Sequence, residues 1–176
     1  MTTKISKASK ISLSSTKYTY NGKVRKPGVT VKTADGKTLR NGTDYTVSYS
    51  KGRKNVGKYT VKITFKGNYS GTKTLTFTIN PKSVKLVSLG TANKKMTVQW
   101  KKETKQTTGY EIQYSTSSKF KSGTKTVTVK KNKTTSTKIS GLKSGKKYYV
   151  RIRTYKVVDG KKYYSSWSSK MSIKVG

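Results

Sequence analysis

The chain has no cysteine and no histidine, and only five acidic residues stand among its 176. Without cysteine there is no disulfide staple and no thiolate chemistry, so stability must come from packing alone. A Ser–His–Asp or Cys–His arrangement cannot be assembled, and a zinc site loses its usual ligands. The acids are Asp35, Asp44, Glu103, Glu111 and Asp159. Asp35 and Asp159 each precede glycine in expected hairpin turns. Asp44 reads as a turn residue that bonds local backbone donors. Glu103 falls in a polar loop, and Glu111 alternates with the inward residues of its strand, so it is expected to point outward. Scattered in this way, the acids offer neither the paired carboxylates of a glycosidase nor a calcium cluster. No glycine-rich loop that cradles phosphate is present. The expectation is a chain that is not an enzyme, with no cofactor and no metal. A lysine–asparagine bond promoted by a buried acid is equally unsupported, because none of the five acids is expected in the core.

Long apolar runs are missing too. No stretch approaches the roughly 18 apolar residues of a spanning helix, so membrane insertion is not expected. Met1-Thr2-Thr3-Lys4 lacks the apolar region of a signal peptide, and the chain stops just after an expected strand at 171–175. A fragment of a longer protein, without its signal peptide and anchor, is the expectation.

What is present in excess is positive charge. Forty-one basic side chains give a formal net charge of +36, far beyond the roughly 2–8 charges that suit a small soluble domain. Only Arg25, Arg40, Arg53, Arg151 and Arg153 are arginine; the other 36 are lysine. Arginine serves planar, bidentate recognition, whereas lysine is a hydrated point charge. A lysine surface suggests diffuse, salt-sensitive attraction to polyanions. The candidate polyanion-binding residues are Lys51, Arg53 and Lys54 in one loop, Lys130, Lys131 and Lys133 in another, Lys146 and Lys147 at a corner, and Arg151 and Arg153 on a strand. Arg151 and Arg153 share a wet face with Tyr149 and Tyr155 in this reading. They can stack on sugar or base rings, or pack across the sheet with Glu111 pairing one arginine. Packing is the preferred reading.

Apolar residues recur with period two. Tyr45, Val47 and Tyr49 alternate with Thr and Ser; Tyr59, Val61, Ile63 and Phe65 alternate with Thr and Lys; Leu75, Phe77 and Ile79 alternate with Thr. Such patterns give strands with one buried and one wet face. Turn signals such as Asn21-Gly22, Asp35-Gly36 and Gly67-Asn68 fall between them. The fold class is therefore all-β: two tandem immunoglobulin-like β-sandwich domains. Asn80-Pro81-Lys82 marks the boundary, because proline cannot donate to a sheet ladder. The domains are 1–81, with residues 1–10 as a flexible lead-in, and 82–176. Seven strands are expected in the second, at 84–89, 96–100, 110–114, 126–129, 136–139, 148–152 and 171–175. The first domain carries 17 basic and 2 acidic residues (+15), the second 24 and 3 (+21), so the charge is no basic tail.

Tyr18-Thr19-Tyr20-Asn21-Gly22-Lys23, Gly42-Thr43-Asp44-Tyr45-Thr46-Val47, Asn55-Val56-Gly57 and Gly67-Asn68-Tyr69-Ser70-Gly71 occur in order within residues 16–80. This segment resembles the bacterial immunoglobulin-like repeat of Gram-positive surface proteins. Residues 83–176 resemble a fibronectin type III domain. Trp100 matches its strand-B tryptophan, Gly109-Tyr110-Glu111-Ile112-Gln113-Tyr114 its third strand, and Leu142 to Tyr148 its tyrosine corner. Ser165-Ser166-Trp167-Ser168 resembles the segment before its last strand. The resemblances imply a non-catalytic spacer or adhesive module of a secreted or cell-surface bacterial protein, hence an extracellular location and a monomer within a longer chain. Expected partners are anionic polymers: cell-wall teichoic acid, or sulfated or sialylated host glycans. Non-specific binding of extracellular DNA is an alternative, as is an accessory region of a larger secreted enzyme. Lysines at outward strand positions, such as Lys62, Lys73 and Lys174, fit natural selection or deliberate charge engineering.

Overall fold

Threonine, serine and lysine alternate with Val, Ile, Phe and Tyr along most strands, and that period decides which face each strand buries. A computed structural model describes residues 3–4 and 10–176. Among them every regular element is a β-strand. The chain is all-β and of immunoglobulin-like sandwich type. It divides into two compact units, Met1–Asn80 and Pro81–Gly176.

The first unit holds β1 (Thr3–Lys4), β2 (Lys10–Leu13), β3 (Lys17–Thr19), β4 (Val29–Lys32), β5 (Tyr45–Tyr49), β6 (Gly57–Phe65), β7 (Tyr69–Ser70) and β8 (Thr72–Asn80). A four-stranded sheet runs in the order β3-β8-β6-β5, β2 pairs antiparallel with β4, and β1 pairs parallel with β7. Of the expected lead-in, residues 1–2 and 5–9 lie outside the described residues. The central strand β6 buries Val61, Ile63 and Phe65 and turns Thr60, Lys62 and Thr64 to solvent. Val31, Leu39 and Tyr45 pack on Ile63 and Phe65, while Phe77 and Ile79 pack on Val61. The Tyr49 hydroxyl donates to the Pro27 carbonyl at 2.7 Å. Asp44 Oδ2 accepts the Arg40 N–H at 2.7 Å, the local backbone bond expected of it.

The second unit holds β9 (Leu86–Ala92), β10 (Lys95–Trp100), β11 (Gly109–Ser115), β12 (Lys125–Val129), β13 (Ser136–Ile139), β14 (Lys147–Val158), β15 (Lys161–Tyr164) and β16 (Met171–Lys174). One sheet is β13-β10-β9. The other is β12-β11-β14, with β15 and β16 both paired to β14. Val98 and Trp100 of β10 face Tyr110 and Ile112 of β11 and Val150 and Ile152 of β14 across the core. The rings of Trp100 and Tyr110 lie 5.3 Å apart. Leu142 is buried beside the corner, where Tyr148 Oη accepts the Lys143 N–H at 3.1 Å. The phenol thus pins this loop as the tyrosine-corner resemblance implied.

There are eight strands here where seven were expected. β14 continues to Val158 and turns through Asp159 (φ 48°) and Gly160 (φ 74°) into β15. Two successive positive φ values suit a tight hairpin whose twist matches its strands. β15 escapes the periodicity because it opens on two exposed lysines, Lys161 and Lys162.

Gly109, the first residue of β11, is buried between β12 and β14. A Cβ there would fall on the Val129 carbonyl oxygen and lie 2.9 Å from Tyr155 Oη. Gly109→Ala should therefore cost about 1–3 kcal/mol by overpacking. Chemical denaturation followed by tryptophan emission measures this, and an unchanged midpoint would show that the two neighbours can yield.

Candidate functional site

Strand β14 turns Tyr148, Val150 and Ile152 inward, which leaves Tyr149, Arg151 and Arg153 on the outer face of the five-stranded sheet. The register sets Gln113 opposite Arg151 and Glu111 opposite Arg153. Arg151 donates through Nε (3.0 Å) and Nη2 (2.7 Å) to Gln113 Oε1. Arg153 donates through Nε (3.1 Å) and Nη2 (2.6 Å) to Glu111 Oε2. The other carboxylate oxygen of Glu111 accepts from Lys162 Nζ and the Tyr164 hydroxyl, each at 3.2 Å. The expected cross-strand pairing of Glu111 with an arginine is present.

Two residues of this face are less exposed than their outward register suggests. Glu111 points away from the core, yet it is only 6% exposed. Arg153, Lys162 and Tyr164 cover it from outside, so it is buried on the outer face and not in the core. Tyr155, expected on the wet ladder, is 3% exposed. Lys162 Nζ lies 4.6 Å from its ring centre and the Tyr164 ring 6.4 Å away. Alternation fixes the face a side chain takes; long neighbours on the adjacent strand decide whether that face stays wet.

Burial alone would raise the Glu111 carboxyl, but the hydrogen bonds and charges of Arg153 and Lys162 outweigh it and hold the group below its ordinary value. Burial, with the like charge of Arg153 beside it, draws the Arg151 guanidinium down from its usual value.

Rings separate the two guanidinium groups. Arg153 Cζ is 3.7 Å from the Tyr164 ring centre and 4.3 Å from that of Trp167. Arg151 Cζ is 4.6 Å from Trp167 and 4.2 Å from Phe120. Tyr164, Arg153, Trp167, Arg151 and Phe120 thus alternate ring and cation. Each such contact is worth about 0.5–1 kcal/mol where partly exposed. Trp167 reaches this position because the strand edge breaks between β15 and β16. There Ser165 Oγ accepts the Thr154 N–H at 3.0 Å and Ser168 Oγ accepts the Ile152 N–H at 3.1 Å. Hydroxyls replace the carbonyls of a regular ladder, so the Ile152 and Thr154 donors stay paired while the chain detours.

The ten candidate residues fall into two kinds. The arginines are engaged within the fold. Arg151 and Arg153 belong to the stack, and Arg53 donates to the Arg25 carbonyl (3.1 Å) and the Ser50 carbonyl (2.6 Å) with its guanidinium 5.1 Å from the Tyr49 ring centre. The seven lysines are all exposed. Lys51 and Lys54, with Arg53 and the exposed Val24, line an open cleft of about 380 Å³ in the first unit. In the second unit the lysines do not form one cluster. Lys130, Lys131 and Lys133 follow Val129, which pairs with Tyr110 at one end of β11; Lys146 and Lys147 precede Tyr149, which pairs with Ser115 at the other. Five residues of strand, about 16 Å, separate these ends. Sequence reasoning named neither Trp167, Phe120 and Tyr164 as stacking partners nor Lys162 as a partner of Glu111. A tryptophan flanked by serines, just past an Asp-Gly hairpin, was the available signal.

The family model of the fibronectin type III domain matches residues 79–171. No curated protein matches. Among solved structures, one titled "Myokine structure" is 15% identical with a TM-score of 0.41, covering 53% of this chain and 98% of its own. The FN1-FN3 domains of chicken CNTN1 are 18% identical with a TM-score of 0.46, and the match covers 86% of this chain and 51% of that one.

Removing the Glu111 charge leaves Arg153 and Lys162 facing each other over a neutral amide. Glu111→Gln should cost the second unit about 1–3 kcal/mol at neutral pH. Because the folded carboxyl titrates below its unfolded value, its contribution is complete above the ordinary carboxylate range and fades as pH falls through the lowered value. The gap between parent and variant melting temperatures, read by tryptophan emission, should therefore close in acid. A gap that persists at the lowest pH would show that the charge is not its source.

Proposed function

The chain belongs to the fibronectin type III family through residues 79–171, and from that premise we propose that it is a non-catalytic surface module that binds anionic polymers through its lysines. The observation that carries this reading is the division between the two kinds of cation. The candidate arginines Arg53, Arg151 and Arg153 are held by carbonyls, a carboxylate, an amide and aromatic rings, whereas the candidate lysines stand exposed without an acid beside them. Ion pairs among the described residues involve Glu111 alone. Most of the positive charge is therefore open to an outside counter-ion.

The first unit, in this proposal, is a bacterial immunoglobulin-like repeat, and the whole is a spacer or adhesive segment of a secreted or cell-surface protein. The polymer class is the anionic glycan or glycan phosphate of a cell envelope: teichoic acid of a wall, or sulfated or sialylated host chains. Spread lysines match a polymer with regularly spaced charges better than a small compact anion.

Binding of the chain to a sulfated polysaccharide, measured at several salt concentrations, should weaken steeply as salt rises. Replacing Lys130, Lys131 and Lys133 together by Gln should reduce the slope of log affinity against log salt by roughly two to three. Affinity that stays constant with salt would overturn the reading. A much tighter hold on one DNA sequence than on other polyanions would replace it with nucleic-acid recognition.

A further inference from the structure

The second unit has a cleft that none of the lysine clusters above includes. Its volume is about 340 Å³, at the low end of the range for small-molecule sites. It opens beside the corner loop, with the buried Leu142 and the exposed Lys143 in its lining. Tyr114 follows Tyr110 and Ile112 on the inward face of β11 and pairs with Val150 of β14; Tyr148 is the next inward residue of β14 past Val150.

Four features of this mouth bear on an occupant. The rings of Tyr114 and Tyr148, 6.3 Å apart, line it with apolar surface. Lys125 lines it from the core-facing register of β12: it pairs with Tyr114 and shares the alternation of Val127 and Val129. Lys143 lines it from the corner loop, its backbone N–H already given to Tyr148 Oη. Gly123 and Gly141 border it without side chains, and a Cβ at either would meet nothing within 4 Å, so the mouth stays uncovered. Burial, with Tyr148 nearby, raises the Tyr114 hydroxyl above its ordinary value. None of the three acids of this unit lines the cleft.

A lysine at a core-facing position is costly when it is covered, and here it is not. Its charge is set beside two aromatic rings, a pairing that suits a ligand with one apolar ring face and one anionic substituent. We propose that this cleft binds a single anionic sugar ring of the uronate type, its carboxylate between Lys125 and Lys143 and its C–H face on the phenols. The inference rests on the anionic-polymer reading above and supplies a defined subsite for a terminal residue of such a chain.

The test uses the full chain, labelled with ¹⁵N, titrated at low salt with D-glucuronate, methyl glucoside and inorganic sulfate. Glucuronate should give saturable shifts at the Gly123 and Gly141 amides. Methyl glucoside and sulfate should each bind there several-fold more weakly, since each offers only half of the recognition. Lys125→Gln and Lys143→Gln should each weaken glucuronate binding by about threefold, as expected for a partly exposed ion pair. Lys130→Gln, outside the cleft, should leave it unchanged. Sulfate matching glucuronate in midpoint and shift pattern would overturn the proposal, as would an equal loss from Lys130→Gln or shifts spread over the lysine loops. A parallel measurement with a sulfated polysaccharide separates the two readings. Polymer binding without saturation at the cleft removes this proposal and keeps the function; saturation at the cleft without polymer binding does the reverse.

Discussion

Forty-one cations against five acids leave like-charge repulsion largely uncancelled, so apolar packing between sheets has to hold the fold against it. Strands manage this by a strict sorting of faces. On β6 the buried positions are Val61, Ile63 and Phe65, and the lysine between them, Lys62, points to water. The same sorting recurs on β10, where Met96, Val98 and Trp100 are buried. Charges kept at the periphery in a high dielectric repel weakly, and salt screens them further. A single lysine turned into either core would lose that shelter.

Arginine escapes this rule by bringing its own compensation. The planar guanidinium stacks on rings and forks onto two acceptors at once. Arg53 closes a turn by binding two carbonyls, and Arg153 binds Glu111 while lying between Tyr164 and Trp167. Lys162 joins the same carboxylate from outside. One acid therefore organises two cations, two strands and part of an aromatic stack. The excess charge and the cohesion of the molecule are carried by different residue types, which is why a strongly basic chain can still present an ordered face.

Period two and the glycine and asparagine turns made the fold class legible, and the seven strands expected in the second unit start within two residues of observed ones, though β14 runs six residues past its expected end. Less legible were elements whose pattern is carried by polar residues. β15, Lys161–Tyr164, was not among the expected strands although a turn was expected at Asp159, because two lysines open it; its pairing with Tyr155–Val158 defines it. The cross-strand partner of Glu111 was foreseeable from alternation; its burial was not, because the cover comes from Lys162 and Tyr164 on that same unrecognised strand. The lysine clusters are exposed. Their separation to opposite ends of β11 depends on register, which a sequence does not state. The cleft at Tyr114 and Lys125 was invisible for the same reason: only the pairing of Lys125 with Tyr114 sets that lysine on the core-facing side of β12, beside the corner loop.

The detour at Ser165 to Lys170 gives the molecule two optical reporters of different depth. Trp100, 2% exposed, lies inside the sandwich; Trp167 lies between two guanidinium groups on its surface. The chain has no third indole, and the first unit has none. Emission from the intact chain thus comes from one half of it, in two spectral environments. Loosening of the outer stack would shift and brighten one component while the other stays blue, so a partial opening can be told from collapse of the interior without attaching any dye.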